Sequence, residues 1–96
     1  MDKKEQELRQ ELSDIEKTLQ NPDIFSDPKY PKLAKRQSTL QNTIKLFDQL
    51  KELKDQINQA TEMSKSGGEL ADMANAELEE LNSSLVGVEA KLSEIL

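Results

Sequence analysis

Apolar side chains return at steps of four and three along Leu70, Ala74, Leu78, Leu81, Leu85, Val88, Leu92 and Ile95. That spacing follows one narrow face of an α-helix, the seam of a coiled coil. Leu8, Leu12, Ile15 and Leu19 repeat it near the start of the chain, at steps of four, three and four. A third line runs through Leu33, Leu40, Ile44, Phe47, Leu50, Leu53, Ile57, Ala60 and Met63. Narrow seams suit a chain in which apolar residues make up 34% and charged residues 33%. Such a composition cannot fill a thick globular core, whereas paired helices need only one or two apolar residues per turn. Disorder would also fit the low hydrophobicity and the net charge of -6, but a disordered chain has no reason to keep a helical period.

Two sets of breakers divide the seams. Asn21-Pro22 ends the first helix, read as residues 2–20, with Asp2 and Glu5 spaced as a capping box. Asn tolerates the left-handed conformation of a helix end, and Pro biases its predecessor away from helix. Residues 21–30 form the first connection, and Ile24 and Phe25 read as an apolar plug pinning it to the helices. Asp27-Pro28 resembles a cap and first helical residue, but Pro31 would break a regular first turn. One loose turn at 27–30 and a second helix over 31–64 follow. Ser64-Lys-Ser-Gly-Gly68 is the second break, with Ser66 and Glu69 spaced as a capping box for a third helix over 69–95. Gly87 inside that helix either admits a close neighbour or is simply tolerated.

Short connections make consecutive helices antiparallel neighbours. The expected fold is all-α: a long antiparallel, coiled-coil-like α-hairpin with a shorter N-terminal helix packed on its base. Residues 1–96 are one helical domain in this reading. Folding back about Gly67-Gly68 sets Ala60 near Met73 or Ala74. Phe47, Leu50 and Leu53 take two steps of three in a row, an overwinding of the heptad. It is expected where a three-helix base gives way to a two-helix tip.

The chemistry of catalysis is sparse. There is no His and no Cys, which removes the commonest general bases, nucleophiles and thiolate ligands. Carboxylate pairs such as Glu79 and Glu80 lie on a solvated helix face with nothing to shift their pKa. No enzyme activity, metal or cofactor is expected. No apolar run approaches the ~20 residues of a membrane span, and the start lacks a secretory signal core, so a cytoplasmic location without membrane contact is expected.

Charge is unevenly placed. From Glu69 onward seven acids face one base, Lys91, while residues 1–68 balance at twelve of each sign. Within that balanced part Lys29, Lys32, Lys35 and Arg36 form an acid-free cluster. These four are the candidate partner-contact residues. The plainer reading is a solvated surface that offsets the acidic third helix.

The stretch Asn21-Pro-Asp-Ile-Phe-Ser-Asp-Pro-Lys-Tyr-Pro-Lys-Leu-Ala-Lys35 resembles a segment of the N-terminal domain of bacterial class I peptide chain release factors. Gly68-Glu-Leu-Ala-Asp-Met-Ala-Asn-Ala-Glu-Leu-Glu-Glu-Leu81 resembles the third helix of the same domain. Pro31 and the Gly-Gly turn depart from the pattern. The resemblance implies a role in translation termination, in which the domain positions the factor near the GTPase-associated region of the ribosome. It implies ribosomal protein and rRNA partners and admits a class II release factor. It further implies a fragment lacking the downstream decoding and Gly-Gly-Gln domains. The Ser-Asp-Pro-Lys-Tyr stretch leans toward the type reading UAG and UAA. A coiled-coil scaffold or a prefoldin-like helical protein is the alternative. Partly uncovered seams leave self-association of the domain open.

Overall fold

A computed structural model describes residues 2–96. Three α-helices and one 3-10 turn follow in the order α1 (Asp2–Leu19), the turn (Pro22–Ser26), α2 (Tyr30–Ser64) and α3 (Gly68–Ile95). No strand occurs among the described residues, which removes the β-hairpins a prefoldin-like chain would need. The chain divides into two compact units, residues 1–45 and 46–96. The division falls inside α2, at the start of the overwound stretch Phe47–Leu50–Leu53.

In the first unit α1 and the opening turns of α2 are joined by residues 20–29. Asp2 and Glu5 stand in the first turn of α1, and Lys17 in its last, so both ends complement the helix dipole. The Asp2 cap expected from the spacing is not the arrangement: Asp2 is already helical, in the first turn of α1. Leu8 and Ile15 are the buried positions of the α1 seam. Asn21 is extended, with φ -75° and ψ 120°, and its side chain accepts a hydrogen bond from the Asp23 amide. It therefore caps the 3-10 turn that follows, and does not end α1 in a left-handed conformation. Pro22 occupies the first position of that turn, where no amide proton is needed.

The apolar plug is half of what the sequence suggested. Ile24 is buried, but Phe25 is 65% exposed. In the tight turn their side chains diverge. Phe25 instead sets its ring edge-to-face with Tyr30, centroids 5.1 Å apart. Asp27 makes the loose turn before α2. Its Oδ1 accepts from the Lys29 amide at 2.8 Å and its carbonyl from the Tyr30 amide at 3.0 Å. Pro31 then sits in the first turn of α2, where its missing donor costs little. Leu40 and Thr43 are buried further along. The Thr43 hydroxyl donates to the Thr39 carbonyl at 2.9 Å, so burial leaves it no unpaired polar atom.

In the second unit the rest of α2 and α3 form an antiparallel hairpin. Gly67 and Gly68 carry the reversal with φ of 77° and 67°, a left-handed backbone that a side chain would strain. Gly67 caps α3, and no side chain bonds to the helix start. The capping box expected of Ser66 and Glu69 is therefore not formed. Those two residues have the right spacing, but the glycine reversal takes the capping position itself. Ala60 and Ala74 lie equally far from Gly67 and are both 2% exposed, so small residues occupy matching heights of the two helices. Further from the turn, Gln49, Glu52, Leu53 and Gln56 of α2 share a shallow groove with Ser84 and Val88 of α3. Phe47, Leu50 and Leu92 complete the buried set. Gly87 meets nothing within 4 Å of where a Cβ would stand. It admits no close neighbour and is simply tolerated, at a cost of about 1 kcal/mol relative to Ala.

Candidate functional site

The acid-free run at the start of α2 becomes one wall of a groove in the first unit. Lys29 precedes the helix, and Lys32, Leu33, Lys35, Arg36 and Thr39 follow over its first turns. Glu11 and Ile15 of α1 line its other side, and the open cleft holds about 730 Å³. All four candidate residues read from the sequence thus meet at one place. The floor is apolar, built from Ile15, Leu33 and the alkyl stems of the lysines, whose charged heads reach water at the rim.

The four bases are not equivalent. Arg36 is clamped across the groove by Glu11, 25 residues earlier in sequence. Its Nη2 donates to Glu11 Oε2 at 2.6 Å and its Nε to Oε1 at 3.0 Å. This is the forked geometry that guanidinium and carboxylate share. The hydrogen bond from Arg36 holds the Glu11 carboxyl below its ordinary pKa; desolvation opposes it, and the charges of Arg36 and Lys4 add to the lowering. The same bond holds the Arg36 guanidinium above its own. The side chains of Lys29, Lys32 and Lys35 have no acidic partner among the described residues. Three unopposed positive charges therefore rim an apolar cleft, and the fourth ties α1 to α2.

The clamp makes a pH prediction. A carboxyl held below its ordinary pKa stabilises the fold at pH values above the ordinary carboxylate range, and the contribution is lost as pH falls from there through the lowered pKa. Both partners are over 40% exposed, so solvent screening limits the pair to about 1 kcal/mol or less. Glu11→Gln is expected to lower the unfolding free energy from urea titration by that amount at pH 7, and by less near pH 3. An equal loss at both values would show that the charge on Glu11 is not what matters.

Sequence reasoning missed Glu11, Ile15 and Thr39 as members of this site. Their signal is visible only once α1 is laid antiparallel to α2, because no local spacing links residues 11 and 36. Phe25 was also misplaced, and it stands exposed against the ring of the half-buried Tyr30. No cluster of three or more potential metal ligands occurs among the described residues. No helix among them is long and apolar enough to cross a membrane.

Residues 8–96 match the PCRF domain family. Among curated proteins, peptide chain release factor 1 of Staphylococcus carnosus is 33% identical over 92 residues, covering 93% of this chain and 26% of that protein. The protein of the same name from Wolbachia pipientis is 33% identical over 91 residues, covering 91% of this chain and 25% of its own length. That of Listeria monocytogenes is 30% identical over 94 residues, covering 95% and 26%. The chain thus spans about a quarter of the length of the curated relatives it matches. No solved structure matches it at a significant level.

Proposed function

The chain belongs to the PCRF domain family of peptide chain release factors, and on that premise we propose that it acts in translation termination as the accessory domain that seats such a factor on the ribosome. The observation that carries this reading is the family match over residues 8–96. The relatives it resembles are named as type 1 factors, in keeping with the lean of the Ser-Asp-Pro-Lys-Tyr stretch. The domain works in the cytoplasm, where translating ribosomes are. Its finer assignment is contact with protein and rRNA of the GTPase-associated region, with a class II release factor as a further neighbour. The domain contributes position and no chemistry: it lacks the His and Cys of common catalytic sets, and the one carboxylate in its groove, Glu11, is tied to Arg36.

Helix α2 has 35 residues and reaches about 50 Å at ~1.5 Å per residue. The test is co-sedimentation of the 96-residue chain with 70S ribosomes. Binding that an unlabelled type 1 release factor displaces is expected. Binding that the factor cannot displace, or none at all, would contradict the proposal.

A further inference from the structure

The groove between α1 and α2 and the outer face of α3 are complementary, and we propose that α3 of a second copy of this chain occupies the groove. The inference does not rest on the release-factor reading. Its first half is the groove itself, with Ile15 and Leu33 on its floor and the unopposed charges of Lys29, Lys32 and Lys35 at its rim. An apolar cleft bordered by cations fits an acidic amphipathic helix.

The second half lies in the other unit. Glu69, Met73, Glu77 and Glu80 follow one another at steps of four, four and three, so they share one face of α3. All four are exposed, and the buried position Ala74 lies on a different face. Met73 is 69% exposed and its neighbour Leu70 53%. An apolar pair thus stands among three carboxylates, on a helix that no base accompanies before Lys91. Residues 69–80 span about 16 Å of helix and the groove residues 29–39 about 15 Å, so the two lengths agree. The contact joins unlike surfaces, so each copy offers one groove and one acidic face.

Each copy carries a net charge of -6, which opposes association at long range. At 0.15 M salt that repulsion is screened beyond about 8 Å, while close pairs between carboxylate and ammonium persist. Sedimentation equilibrium at this ionic strength is the experiment, run from about 10 to 500 μM. The weight-average mass should rise with concentration above the monomer value of 10.9 kDa. A double variant with Lys32→Glu and Lys35→Glu should shift association at least tenfold higher in concentration. So should a second variant with Glu77→Lys and Glu80→Lys. Mixing the two reversed variants should restore association that neither shows alone. The Glu→Lys variant separates the proposal from a general charge effect. It lowers the net repulsion, so a general effect would make it associate more readily than the parent. That result, a monomer throughout, or a mixture that fails to recover would each overturn the proposal. Circular dichroism of both variants checks that these exposed substitutions leave the helices formed.

Discussion

Truncating Leu92 to Ala is expected to cost about 3 kcal/mol, and Leu40→Ala a similar amount. These are the two largest fully buried side chains, at 0% and 1% exposure. Each sits at a seam position of a long helix, Leu92 in α3 and Leu40 in α2. A narrow seam has few residues to share the loss, and helices fixed by their neighbours cannot collapse far into the space left behind. The loss therefore includes the transfer of the removed atoms and most of the cavity. A domain of this size has a total stability of about 5–14 kcal/mol. One such truncation would remove a large part of it and lower the melting temperature by about 12 °C or more. Val86→Ala is the matched control, because Val86 is 65% exposed. It should change the unfolding free energy by less than about 0.5 kcal/mol. Equal effects at positions 86 and 92 would mean that α3 does not present the face described above.

Much of this fold is written in spacing and punctuation. The seams predict three helices over 2–20, 31–64 and 69–95, and the helices run over Asp2–Leu19, Tyr30–Ser64 and Gly68–Ile95. Periodicity carries this because a stripe at 3.5 residues per turn has only one conformation that gathers it on one face. Asp27-Pro28 and Pro31 likewise foretell the loose turn, since each acts through its own backbone. The errors have a common cause: they concern choices between two local solutions. Ser66 and Glu69 could cap α3, but the left-handed Gly67 does so instead. Ile24 and Phe25 are both apolar, and only the geometry of the 3-10 turn decides which one is buried. Asn21 could have ended α1 and instead begins the next turn. The candidate site was half legible. Its four bases cluster within eight residues of sequence, but Glu11 reaches Arg36 across the hairpin of α1 and α2. Composition therefore presents four equal cations where the fold presents three free ones and a clamp.

That difference bears on function. A reader of the sequence alone would weigh Arg36 with its neighbours as a partner contact. In the structure Arg36 is the stabilising member of the group, and the lysines are the residues available to a partner. The division of α2 between two units has a similar consequence. A substitution such as Leu40→Ala acts on the unit that holds the basic groove, whereas Leu92→Ala acts on the unit that holds the acidic face.

The largest functional effect should appear when the chain is placed within a whole factor. Accessory positioning leaves the chemistry untouched, yet misplacing reacting groups by about 1 Å can cost on the order of 100-fold in rate. The direct measurement is peptide release at a stop codon by a chimera. In it, this chain replaces the corresponding quarter of the Staphylococcus carnosus peptide chain release factor 1, to which it is 33% identical. The reference is the same factor with that quarter deleted. If the chain is a release-factor accessory domain, the chimera should release peptide within about tenfold of the parent, with the deletion well below both. A chimera no faster than the deletion would contradict the account.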